Sequence, residues 1–264
     1  MNNWSGFLEL VSYKSKEFLG PAQKLSLFLE LFSKLSRVVR EQYSESSEVF
    51  QKFRGAIQMK TQLLELIKNR YIESAAFIDE CFKHAEKNLT KYATSPDPEV
   101  LREASEFLER FRFARESVIL DIESFLVFSR VLLDYVPWML QPFLRGHVAK
   151  QEPSTVDFRK FCEWFRDNPN NMIDEEFRNF LLEFYEWFME KLRNPRNELV
   201  VHLKRRYTLD RFSANGTIIR FKYFPLASEN SNELFELTSL VVLFDRILKF
   251  LKELEDHFLR ILTS

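Results

Sequence analysis

Apolar residues recur every three or four positions along most of this chain, a spacing that lines one face of a helix and not one face of a strand. Leu25, Phe28, Phe32, Leu35 and Val39 begin the pattern after Pro21, a residue suited to the first turn of a helix. One or two further helices follow through Ile57, Leu64, Ile67, Tyr71, Ile78, Phe82 and Leu89, as far as Ser95-Pro96-Asp97-Pro98. That proline-rich knot is the best boundary in the chain, dividing an N-terminal helical region, 1–95, from a second helical unit, 98–264. With 5 glycines against 28 phenylalanines, the chain lacks the turn chemistry of an all-β fold and has ample aromatic volume for packing helices. The expected class is all-α, a multi-helix bundle.

In the second unit, Leu101, Ala104, Leu108 and Phe111 lead into Ile119, Ile122, Leu126 and Leu133, a long helix. A kink is expected near Pro137 and an end around Gln141-Pro142 and Arg145-Gly146. A short helix from Val156 to Arg166 stops at Asn168-Pro169, and Asp174 caps the next, whose Phe177, Leu181, Phe184, Phe188 and Leu192 form a core-facing stripe. The pattern changes at 207–224. There Asn215-Gly216 is the preferred pair for a two-residue type I′ turn, and Ile219, Phe221 and Tyr223 alternate with Arg220 and Lys222, predicting one small β-hairpin. Leu237, Val241, Phe244, Leu248, Leu251, Leu254 and Phe258 close the chain with a helix.

The 38 basic and 39 acidic residues nearly cancel, so affinity for nucleic acid must come from a local patch. Cys81 and Cys162 form no C-x-x-C pair, which argues against a zinc site or disulfide framework and for a reducing, cytoplasmic setting. Glu9, Lys14, Lys16 and Glu17 interrupt the first twenty residues, unlike the apolar stretch of a signal peptide, and no run approaches a membrane span. His84, His147 and His257 lack a second histidine at ligand spacing, so no metal is expected. Trp138, Trp164 and Trp187 read as packing residues. Glycine-rich phosphate loops and a G-x-S-x-G elbow are missing, which sets aside nucleotide triphosphatases and serine hydrolases and leaves no cofactor implied.

The local patch lies between Lys191 and Lys222, where nine lysines and arginines face only Glu198 and Asp210. Within it, Asn194-Pro195 reads as an N-cap and first helical position, which would start a new helix running to Tyr207 and put Arg196 in its first turn. A cation there opposes the helix dipole, yet an arginine fork beside free N–H groups suits a phosphate. Glu198 stands four residues before His202, a spacing that lets the carboxylate orient the imidazole and favour its protonated form. Histidine titrates near neutrality and can carry a proton in either direction. Six residues separate Arg196 from His202, about 120° around a helix at ~100° per residue, an awkward pair for one helix alone. Asp121 and Asp134, on the long helix, are candidates to orient Arg196, with ordinary salt bridging the alternative.

The run Arg196-Asn197-Glu198-Leu199-Val200-Val201-His202 resembles the Arg-polar-x4-His signature of HEPN domains, helical ribonucleases of toxin–antitoxin, CRISPR and other anti-phage systems. The resemblance implies a homodimer in which two copies of the motif meet in a cleft and cut single-stranded RNA without metal. It implies His202 as acid–base catalyst on the ribose 2′-hydroxyl, Arg196 as stabiliser of the charged transition state, and Asn197 as a hydrogen-bonding aid, with Glu198 in support. Products would be a 2′,3′-cyclic phosphate and a 5′-hydroxyl, and an antitoxin or regulatory protein would be a natural partner. Arg193, Lys204, Arg205, Arg206, Arg211, Arg220 and Lys222 would track the RNA backbone, with Tyr207, Phe212 or Tyr223 stacking on bases. Family members paired with nucleotidyltransferases carry a tyrosine two residues after the histidine. Lys204 stands there, so control by tyrosine modification is not implied. The alternative is a non-catalytic helical module that binds RNA or a protein through the same surface, and the plainest reading makes Arg196 a surface residue and His202 a partner of Glu198.

Overall fold

A computed structural model describes residues 30–94, 97–144, 153, 157–169, 174–201, 205–210, 220–225, 235–236 and 239–263, with the backbone alone described in the strands and at several positions between 82 and 92. The described residues are predominantly helical. In chain order they form α1 (Ser33–Gln42), α2 (Ser44–Thr94), α3 (Pro98–Leu144), α4 (Phe158–Asp167) and α5 (Glu175–Phe188). Next come a π-helical segment π1 (Met189–Arg193), a single turn α6 (Asn194–Arg196) and a second π-helical segment π2 (Asn197–Val201). Three strands, β1 (Arg205–Asp210), β2 (Arg220–Pro225) and β3 (Phe235–Glu236), precede the last helix, α7 (Leu240–Thr263).

Two very long helices set the frame. At 51 and 47 residues, α2 and α3 are roughly 77 and 70 Å long at about 1.5 Å per residue. Lys91–Glu103 near the tip, Arg70–Asp121 midway and Phe53–Trp138 near the base form successive rungs of this antiparallel pair. The one or two helices expected over 57–89 are thus a single element. Helix α3 also carries Pro137 and Pro142 inside it and runs to Leu144. The Arg145-Gly146 stop expected there, like Pro21, Leu25 and Phe28 at the other end, lies outside the described residues.

Helices α1, α4, α5 and α7 pack around the base of the long pair. Leu35 and Val39, Ile57 and Leu64, Phe125 and Leu133, Phe161, Phe184 and Phe250 belong to one continuous apolar core, shared by the segments on either side of residues 95–98. Its aromatic rings meet edge-on or stacked. Phe158 contacts Phe184, Phe188 and Phe250, and Phe184 stacks on Phe250 at 3.7 Å between centroids. Trp164 is buried edge-on to Phe165, Trp187 sits beside Phe184, and Trp138 lies at the surface against Phe53.

Helix starts follow local chemistry. Asp157 Oδ1 accepts from Lys160 N, and Asp174 Oδ1 accepts from the N–H groups of Glu176 and Phe177. Helix α1 is different, because its cap comes from far along the chain. Glu255, on α7 and buried, accepts from Phe32 N at 3.2 Å, Lys34 N at 2.8 Å and Leu35 N at 3.1 Å. Phe32 precedes the helix with φ 59°, a left-handed conformation that L-residues rarely adopt.

The small hairpin expected at 207–224 is not seen in the form expected. β1 and β2 pair antiparallel, with Tyr207 opposite Tyr223 and Asp210 opposite Arg220, and β3 pairs with β2. Asn215 and Gly216 lie outside the described residues.

Candidate functional site

The motif does not begin a helix. Asn194, expected as an N-cap, has φ −64° and ψ −50° and donates its N–H to Met189 O, five residues back, so the helix that starts at Glu175 continues through π1, α6 and π2 to Val201. The cause is Pro195. In an ordinary α-helix residue 195 would donate to the carbonyl of Lys191, but proline has no N–H and its ring would collide with that carbonyl. A π-helical turn, with its i→i+5 bonding, carries the chain past the obstruction. Burial keeps the helix whole: Leu192 and Leu199, on either side of the proline, are both 1% exposed, and Pro195 is itself buried.

Arg196 is therefore not in the first turn of a helix. The helix expected to reach Tyr207 ends at Val201 among the described residues, and Tyr207 lies in β1. What surrounds Arg196 is a cluster of side chains. Asn197 Oδ1 accepts from Arg196 Nη1 at 3.1 Å, which holds the guanidinium. Helix α3 packs against π1 and α6 and brings Arg130 and Asp134 to the same place. Burial lowers the pKa of Arg196, and the charge of Arg130 lowers it further; Asp134 opposes this, while Arg193 adds to it. Arginine stays protonated even so.

The carboxylates of the cluster are committed. Arg130 Nε donates to both oxygens of Asp134 at 2.8 Å, and Asp134 Oδ1 also accepts from Phe158 N at the start of α4. Arg130 reaches Asp157 Oδ2 at 3.1 Å with another nitrogen, and its guanidinium carbon lies 5.9 Å from the centre of the Phe188 ring. Three guanidinium groups, Arg130, Arg193 and Arg196, thus face two carboxylates. Nε of Arg193 and Nε of Arg196 are each buried without a hydrogen-bond acceptor. A donor left in that state costs about 1–3 kcal/mol, and surplus positive charge beside unmet N–H groups is what an anion satisfies.

No protein-family model, curated protein or solved structure matches the chain.

The expected site residues divide as follows. Arg193, Arg196, Asn197 and Glu198 lie on the π1–π2 run, with Arg193 and Arg196 brought together and Glu198 half-buried on π2. His202, Lys204 and Arg211 lie outside the described residues. Of the strand residues, the register places positions 206, 220 and 222 on one face of the sheet and position 205 on the other. Asp134 joins the Arg196 cluster, whereas Asp121 pairs with Arg70 on α2. The sequence pattern did not single out Arg130 or Asp157. Among the described residues no group of three or more His, Cys, Asp or Glu could hold a metal, and no helix is long and apolar enough to cross a membrane.

Proposed function

We propose that this protein is a metal-independent endoribonuclease that cuts single-stranded RNA at the Arg196–His202 motif, in line with its resemblance to HEPN ribonucleases. The observation that carries the reading is the surroundings of Arg196: a partly buried guanidinium beside two others, with the Nε groups of Arg193 and Arg196 left without an acceptor. The ribose 2′-oxygen attacks the adjacent phosphorus while His202 takes its proton. The bond from phosphorus to the 5′-oxygen breaks, and that oxygen leaves with a proton returned by an acid. Arg196 offsets the charge that builds on the phosphate oxygens. Asn197 acts through Arg196 as a positioning residue.

Two protomers, each supplying one motif, bring an arginine and a histidine together across a cleft. A toxin–antitoxin or anti-phage role, held in check by a regulatory protein, suits such an activity. The test is a labelled single-stranded RNA incubated in EDTA with wild type, His202→Ala and Arg196→Ala. The reading expects cleavage by wild type alone, with products ending in a 2′,3′-cyclic phosphate. Cleavage that needs a divalent metal, or survives in both variants, sinks it; tight RNA binding with no cleavage leaves a non-catalytic RNA-binding module in its place.

A further inference from the structure

We infer that Arg130, which lies 66 residues before Arg196 and outside the motif, is a phosphate-binding residue of the same site, forming with Arg193 and Arg196 a three-guanidinium receptor for one phosphodiester of a single-stranded nucleic acid. The inference rests on the reading of Arg196 as a phosphate ligand, but it concerns binding and stands or falls apart from cleavage.

Arg130 is already fixed in place within the protein. It is on α3, only 15% of its side chain is exposed, and Asp134 and Asp157 grip it from one turn of its own helix and from the cap of α4. A guanidinium tied to two carboxylates has already lost its side-chain freedom, so a ligand need not pay the entropy of ordering it. Five N–H donors exceed what these contacts use: Nε serves Asp134 and one terminal nitrogen serves Asp157, which leaves donors for a third partner.

Charge points the same way. Asp134 and Asp157 balance two of the three arginines, and Asp157 and Asp134 are already engaged by backbone N–H groups at the start of α4. One positive charge is left over, shared among three forks that approach from two different helices. A phosphodiester suits this surplus, because it carries one negative charge on two non-bridging oxygens, each of which can take N–H groups from a different arginine. Arg193 and Arg196 supply the buried Nε donors, and Arg130 supplies the preset one.

The probe is a short 2′-O-methyl oligonucleotide, fluorescently labelled and resistant to 2′-hydroxyl attack, with binding followed by anisotropy across a range of salt. Arg130→Met is expected to weaken binding about tenfold and to reduce the salt slope by less than about 0.7, the value for losing a whole phosphate contact on a single strand, since Arg193 and Arg196 still hold that phosphate. Arg130→Lys restores charge without the fork and is expected to fall between the two. Since Arg130→Met leaves carboxylates unpaired, the same change is also made with Asp157→Asn, whose amide oxygen can still cap α4. Wild-type affinity and salt slope in a folded Arg130→Met or double variant would overturn the inference, even if RNA is cleaved. Arg130-dependent binding with no cleavage by any form would overturn the nuclease reading and leave this one standing.

Discussion

Glu255 is the side chain whose removal should damage the fold most for its size. Its carboxylate accepts three backbone N–H groups at the start of α1, more than 200 residues earlier in the chain. In Glu255→Ala, Lys34 N can turn to water, because the Lys34 side chain is 73% exposed and the backbone there lies near the surface. Phe32 N and Leu35 N cannot, since both bonds are buried. Two stranded donors at about 1–3 kcal/mol each, with about 1 kcal/mol for the lost methylene, give a loss of ~3–7 kcal/mol. Against a typical total of about 5–15 kcal/mol, that is enough to unfold a marginal protein. Phe32 adds to the effect, because its left-handed backbone is held by the same carboxylate. Glu255→Gln keeps one acceptor oxygen, which can serve Lys34 N and Leu35 N, but sets its NH2 against Phe32 N, so it strands one buried donor instead of two and should lose less, about 1–3 kcal/mol. Equilibrium urea unfolding measures both. A loss below about 1 kcal/mol for Glu255→Ala, or equal losses for the two variants, would refute the assignment of Glu255 as the cap of α1.

Other expectations follow from buried ionisable groups. Burial raises the pKa of Asp121 above its ordinary 3.8, and the Arg70 hydrogen bond and charge offset this only in part. The folded protein then binds the proton more tightly than the unfolded chain, so this contribution to stability is complete below about pH 3.8 and is lost as pH rises through the raised value. Wild type should therefore lose stability relative to Asp121→Asn as pH increases from about 3.8 towards neutrality; urea unfolding of both at several pH values would contradict this if wild type gained instead. Burial also pushes the Cys81 thiol up to about 11 and the Cys162 thiol well above its usual value. Both should resist iodoacetamide near neutral pH in the folded protein and react once it is unfolded, as mass spectrometry would show; rapid labelling of either in the folded state would contradict the buried placement.

Helical periodicity made most of the fold legible. Phe177, Leu181, Phe184, Phe188 and Leu192 do line the core, and Asp174 does cap its helix. Asn194-Pro195 misled for a physical reason. Proline at a helix start and proline carried by a π-helical turn share the same missing N–H, and only the burial of Leu192 and Leu199 on both sides separates the two cases. Arg130 with Asp134 reads locally as an ordinary i,i+4 surface pair. Its closeness to Arg196 comes from α3 packing against π1 and α6, a contact between segments far apart in the chain. Glu255 was hidden likewise, since no local pattern links an acid on the last helix to the start of the first. The motif stood out because its spacing is local; the receptor around it is tertiary.

Methylation of the ribose 2′-oxygen removes the attacking group. Two substrates of identical sequence, one ordinary single-stranded RNA and one fully 2′-O-methylated, are incubated with the protein in EDTA. Attack by the 2′-hydroxyl predicts that the RNA is cut, leaving 5′-hydroxyl ends, and that the methylated strand stays intact. Cleavage of both strands, or of neither, would contradict it.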